Sequence, residues 1–342
     1  MRDIKELELE RLKELLLTWG APAFYAREIF RWVYQKGAEN FSEISSLPVS
    51  LRDRLKENFS LHSLNPIRQA ASCDGTQKFL FALPDSNLIE AVLIPGRGRI
   101  TGCISSQAGC KFACRFCASG AASFKRNLTA AEILDEVSYL KRAAAGKLTH
   151  IVFMGIGEPL DNYQQALLAI RTINSPAAFN IGARRITIST CGIVPGIEKL
   201  SRENLQLELS VSLHAADDKT RDYLMPVNKK YPLKELLRAC AEYIRHAGRQ
   251  VTFEYVLIQG VNSGLQNARN LSKILKGLRP AKVNLIPANP VEELEVAPPD
   301  KQDILRFKNE LLQAGIPATL RKPRGVDIAA ACGQLRLRYE KK

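Results

Sequence analysis

The chain has 342 residues, 46% hydrophobic and 25% charged; this allows one large α/β domain with a small accessory unit and is too apolar for a disordered chain. Charges recur at almost every other position up to Leu17, and no apolar run is long enough to cross a bilayer; neither a secretory leader nor a membrane span is expected, and the expected address is cytoplasmic, where thiols stay reduced and cysteines are not a disulfide framework. The net charge of +14 favours a polyanionic partner, RNA above all, and because residues 1–70 hold 11 Lys/Arg against 10 Asp/Glu, nearly all the excess lies beyond them, including Arg321–Arg324 and the tail Arg336–Lys342.

Residues 4–17 place Leu7, Leu9, Leu12, Leu15 and Leu16 at helical spacing, and Gly20 and Pro22 end the segment. Residues 23–36 predict a second amphipathic helix closed by Gly37, and a third covers about 48–59. Together they define a helical accessory unit over residues 1–75. Residues 76–95 alternate as two strands around a turn at Pro84–Asn87, linking that unit to the core of the chain. Strand candidates then recur at 98–104, 150–155, 184–190, 207–213, 250–257 and 281–287, with helices at 129–144, 163–172, 194–201, 231–247 and 264–277. This alternation predicts parallel strands joined by right-handed crossovers. Six such units over 96–330 suit a partial or complete α/β barrel, whose reactive groups gather at the C-terminal ends of strands. A terminal segment, 331–342, completes the chain.

The strongest chemical signal is GCKFACRFCASG at 109–120, which spaces Cys110, Cys114 and Cys117 as C-x3-C-x2-C. Three close thiolates suit an iron–sulfur cluster or zinc. Zinc prefers four ligands, commonly two C-x2-C pairs, and no partner Cys or His lies nearby. A four-iron cluster on three cysteines leaves one iron open to a substrate. Three structural cysteines within eight residues, flanked by Gly109 and Lys111, would make a poor core pattern. Gly157 and Glu158 follow the apolar run IVFMGI. A glycine at a strand end lets backbone approach a ligand, and a carboxylate there can accept from a cationic amine.

The triplet, with Phe116 before its third cysteine, resembles the signature of the radical S-adenosylmethionine superfamily. CISSQAGC at 103–110, GEPL at 157–160, SLHA at 212–215 and DIAAACGQL at 327–335 resemble the RlmN family of adenosine-C2 RNA methyltransferases, over about residues 20–336. The resemblance implies a partial (β/α)6 barrel with a small N-terminal helical accessory domain. It implies a [4Fe-4S] cluster on Cys110, Cys114 and Cys117, and S-adenosylmethionine held through Gly157, Glu158, Ser189, Ser212, Leu213, His214 and Asn289. It further implies that Cys332 carries a methyl group and then a methylene radical that adds to C2 of adenine. Glu90 would accept the C2 proton, and Cys103 would attack the Cys332 sulfur, releasing product with a transient disulfide. On its own, Glu90 in IEAVLIP reads first as a solvated strand glutamate; among apolar neighbours it would be a stronger base.

The implied substrates are an adenosine in the peptidyl-transferase region of 23S rRNA and the adenosine 3′ of the anticodon in some tRNAs, drawn out of the stack. A one-electron donor such as flavodoxin or ferredoxin, a monomeric chain and no membrane contact complete the expectation. YAREIFRWVYQKG resembles the family's accessory domain, which helps hold RNA. Its Tyr25, Trp32 and Tyr34 read first as helix core and only second as base-stacking groups.

Three alternatives stay open on the residues. One is a related methylase acting on adenosine C8, against which RKPRGVDI before Cys332 tilts the choice. Another is a radical enzyme for a small molecule, which gives Cys332 no role. The third is a non-enzymatic cluster or zinc protein that binds RNA without cleaving S-adenosylmethionine. Cys73, Cys191 and Cys240 match no role, and Cys240 reads as helix core. Gly182–Arg185 and Phe124–Asn127 read as solvated charge before phosphate contacts.

Overall fold

The computed structural model describes residues 1–121, 123–289 and 296–335; the basic tail Arg336–Lys342 lies outside them. The main sheet has ten strands. They are β1 (Asn65–Ala71), β2 (Gln77–Ala82), β3 (Leu88–Gly96), β4 (Arg99–Cys103), β5 (His150–Phe153), β6 (Ile186–Thr190), β7 (Glu208–Ser212), β8 (Val251–Leu257), β9 (Ala281–Pro287) and β10 (Ala318–Leu320). Their order in space is their order along the chain. β1–β4 form an antiparallel meander. From β4 onward every pairing is parallel.

The parallel half is a strand–helix alternation, as expected. Its helices are α4 (Ala130–Ala143), α5 (Tyr163–Asn174), α6 (Val194–Leu200), α7 (Asp218–Leu224), α8 (Leu233–Ala247), α9 (Leu265–Leu275) and α10 (Lys301–Gln313), after α1 (Leu9–Thr18), α2 (Tyr25–Phe30) and α3 (Val49–Asn58) in the N-terminal unit. Local chemistry sets their ends. The Thr129 side chain accepts from the Glu132 amide while the Glu132 carboxylate accepts from the Thr129 amide, a reciprocal cap that starts α4. Gly248, left-handed at φ 62°, stops α8. With helices covering it, β8 is buried along almost its whole length, as VTFEYVL requires. No helix of the described residues is long and apolar enough to cross a membrane.

The N-terminal unit is fastened to α4 by buried charge. Lys5, 2% exposed, pairs with Asp3 at 3.0 Å and Asp135 at 3.4 Å, and donates to the Leu61 carbonyl. Asp135 also accepts from the amides of Ser63 and Leu64 at 2.9 and 3.0 Å. The predicted second helix is α-helical to Phe30 and then widens into a π-helix, Arg31–Lys36, before Gly37 at φ 74°. Sequence patterning missed β1, α7, α10 and β10. β1 is exposed at all but one of its residues, so it has no apolar face to betray it and rests on backbone pairing with β2 alone.

Candidate active site

One cavity lies at the C-terminal ends of the parallel strands, lined by Met154, Ser189, Ser212, Val256, Ile286 and Arg321, one from each of β5–β10 or the residue just beyond. In a flat sheet β5 and β10 would stand about 24 Å apart, at roughly 4.8 Å per strand. Sharing a cavity therefore requires the sheet to curl around it, as a partial barrel does.

Cys110, Cys114 and Cys117 enter that cavity from the loop after β4. The loop is bonded outward: Arg115 donates its amide to Leu224, and Ala118 donates to Gly333 at 2.8 Å, next to Cys332. Burial pushes the Cys110 thiol up to about 11 and raises Cys114 and Cys117 as well. An incoming metal must therefore displace protons, and its charge reverses that bias. Three thiols from one loop lining one cavity are the soft donor set that a four-iron cluster takes, with one iron left open.

Gly157, Glu158, Ser189, Ser212, His214 and Asn289 line the same cavity as the three thiols. Gly157 sits at φ 98°, and a Cβ there would lie 2.5 Å from Gln107 Cβ; no other residue type leaves this backbone against the cavity. Glu158 is buried and held by the amides of Leu160 at 3.0 Å and Cys191 at 2.6 Å. Burial raises its pKa, and those donors oppose the rise. Ser189, Ser212, His214 and Asn289 all line the cavity. Leu213 does not: its side chain is fully buried in the core and its amide donates to Glu254. His214 has φ 58° and packs edge-on to Phe116, ring centroids 4.5 Å apart. Burial, then Arg221, pushes its pKa down to about 3. Its Nδ1 accepts from the Val256 amide at 2.9 Å, so the neutral ring carries its proton on Nε2.

Cys332 lines the same cavity as the triplet. Cys103, at the end of β4, is 6% exposed and packs with Val92, Ile156, Ala330 and Leu335, the last two from the Cys332 segment. Both thiols are free. Burial raises the Cys103 thiol, charge at Cys332 adds to that, and the Arg321 guanidinium opposes it. Glu90 on β3 is 3% exposed, not a solvated strand glutamate. It pairs with Lys78 of β2 at 3.1 Å.

Several residues were missed or misread from sequence. Arg321, expected on a basic surface, turns into the cavity with Glu254 and Cys332. Cys191 lines the cavity too, and its amide donates to Glu158. Cys240 is helix core, as read. Arg126 is committed to Asp85 and Glu132. Tyr34 is 2% exposed and Trp32 donates to Ser46 while Lys36 lies 3.4 Å over its ring, so both serve packing first. No period or spacing marked Arg321, or the reach of Lys78 to Ala329, 251 residues on.

Comparison with known proteins agrees with this geometry. A family model described as the radical SAM superfamily matches residues 104–267, and one described as the ribosomal RNA large subunit methyltransferase N-terminal domain matches residues 2–61. The chain is 45% identical over 335 residues to a probable dual-specificity RNA methyltransferase RlmN of Pelotomaculum thermopropionicum, covering 98% of this chain and 91% of that one. It is 41% identical over 340 residues to the protein of the same name from Clostridium novyi, covering 99% of each. A crystal structure of a radical SAM methyltransferase from Sphaerobacter thermophilus superposes with a TM-score of 0.95 at 45% identity, covering 98% of this chain and 99% of that one.

Proposed function

The chain belongs to the RlmN family of radical S-adenosylmethionine RNA methyltransferases, and from that premise we propose how its own residues divide the reaction. It methylates C2 of adenosine, in 23S rRNA and beside the anticodon of some tRNAs. Cys110, Cys114 and Cys117 hold a [4Fe-4S] cluster, and Gly157, Glu158, Ser189, Ser212, His214 and Asn289 hold S-adenosylmethionine, with Leu213 lending only the backbone between Ser212 and His214. When bound, these groups supply a methyl group and a 5′-deoxyadenosyl radical, chemistry that can reach the electron-poor C2 carbon.

Cys332 is the methyl carrier. The single observation supporting this is its position: Cys332 lines the cavity that Cys110, Cys114 and Cys117 share with Gly157, Glu158 and His214. Glu90 takes the C2 proton. Cys103 then forms a bond to the Cys332 sulfur as the methylated base leaves, and a later two-electron reduction restores both thiols. The Cys103 thiol must lose its proton first, and Arg321 is the cation placed to favour that. We read the electron donor as a small carrier such as flavodoxin or ferredoxin. We read the chain as a monomer. The basic excess beyond residue 70 suits an RNA partner.

The test is product analysis. Anaerobically reconstituted enzyme, S-adenosylmethionine, a one-electron reductant and unmodified RNA are combined, and the digested RNA is analysed by mass spectrometry. 2-Methyladenosine is expected. 8-Methyladenosine would move the chain to C8 chemistry, and 5′-deoxyadenosine with no methylated base would refute the RNA substrate.

A further inference from the structure

One side chain touches both halves of the proposed chemistry. Lys78 on β2 stands diagonally from Glu90 on β3, since Lys78 registers with Val92 and Leu80 with Glu90. Their side chains share a face, and the ammonium lies 3.1 Å from Glu90 Oε1, with 16% and 3% of the two side chains exposed. The same ammonium donates to the carbonyl of Ala329 at 3.1 Å. Ala329 lies three residues before Cys332 and is left-handed at φ 50°, ψ 45°. A residue with a Cβ keeps that conformation only where its surroundings impose it.

The turn is gripped from the β1–β2 loop as well. Ser72 and the Cys73 amide donate to Asp327, at 2.6 and 3.2 Å, and the Gly325 amide donates to Asp74 at 3.1 Å. Those contacts join the turn to the loop, whereas the Lys78 bond joins it to Glu90.

We propose that Lys78 is a positioning residue that sets the Glu90 carboxylate and the Cys332-bearing turn at a fixed separation, so that base and methyl carrier meet on one adenine carbon. This rests on the reading of Glu90 as base and Cys332 as carrier. After addition, C2 is joined through one methylene to the Cys332 sulfur while its hydrogen must face Glu90. The proton passes to the Glu90 carboxylate, the electron pair of the C–H bond stays with the adenine ring, and the unpaired electron left by radical addition passes to a one-electron acceptor. Both protein groups must then be aligned on the same atom, where a displacement of 1 Å costs about a hundredfold in rate. A single ammonium bonded to both removes that freedom.

The experiment compares holoenzymes carrying Lys78→Met, Lys78→Arg, Glu90→Gln and the pair K78M/E90Q with the unsubstituted protein. Two quantities are read: the covalent protein–RNA adduct against released 2-methyladenosine, and the rate at which iodoacetamide alkylates Cys332 without RNA or S-adenosylmethionine. K78M should release at least about tenfold less product, accumulate adduct and speed Cys332 alkylation about three- to fivefold, the worth of one hydrogen bond. K78R should recover most of both. E90Q should accumulate adduct with alkylation unchanged, because the bond to Ala329 remains. K78M removes the ion pair of a buried carboxylate, so the pair K78M/E90Q, which removes both charges, should show the same fast alkylation if K78M folds poorly. Alkylation at the unsubstituted rate in K78M and in the pair overturns the proposal, as does normal product release in K78M. Normal turnover by E90Q alongside fast alkylation in K78M overturns only the assignment of Glu90.

Discussion

The Asn289 side-chain amide donates to the carbonyl oxygen of Cys332 across 3.0 Å. This bond ties the end of the ninth strand to a segment 43 residues on, and it fixes the backbone that carries the sulfur proposed to accept the methyl group. Replacing Asn289 by Ala removes one hydrogen bond, about 1 kcal/mol or some fivefold. S-methylation of Cys332, followed by peptide mass, should fall by at least that much while iron content is unchanged. Cys332→Ala should abolish methylation of RNA with the cluster still bound; activity in that variant would refute the carrier role.

Gly157→Ala tests the glycine that lines the cavity beside Glu158. The new methyl would meet Gln107 at 2.5 Å in a left-handed backbone. Strain of this kind costs about 1–3 kcal/mol. A lower urea midpoint and weaker S-adenosylmethionine binding by equilibrium dialysis are both expected.

Arg321 faces Glu254 and two thiols. Charge at Cys332 does most to tighten its hold on its proton, burial opposes this, and Glu254 and Cys103 add to it. Arg321→Gln removes the cation that favours thiolate. Formation of the Cys103–Cys332 disulfide by a mild oxidant at neutral pH should slow by roughly tenfold, in line with a smaller thiolate fraction. An unchanged rate would free Arg321 of that role.

The attachment of the N-terminal unit should depend on pH from both sides. Burial alone would raise the Asp135 pKa, but His62 at 3.7 Å, Lys5 and the Ser63 amide bring it below its usual 3.8. Its contribution is present above that value and lost as pH falls through the lowered one. His62 is raised above 6.5, chiefly by the Asp135 carboxylate 3.7 Å from its Nδ1, with burial opposing. Its contribution is complete below 6.5 and lost as pH rises through the raised value. Stability toward urea should therefore be greatest in the mildly acidic range and decline as pH rises past neutrality. His62→Gln should flatten the alkaline decline and leave the acid limb; an unaltered alkaline limb would exclude this histidine.

The sequence by itself determined the cluster and the alternation. Three thiols within eight residues need no tertiary contact to be recognised as one ligand set, and buried parallel strands leave apolar runs whatever packs upon them. The motifs around Gly157, His214 and Cys332 were legible for the same reason: each is a short local segment at a strand end or turn. Only the tertiary structure decided which distant charges meet. Lys78 reaches both Glu90 and Ala329, and Arg321 left an apparent basic surface run to face Cys332 and Glu254. Neither pairing has a period, because an ion pair is set by where two elements cross in space, not by spacing along the chain. The exposed first strand escaped notice for the converse reason: its bonds are made by backbone, which every sequence has.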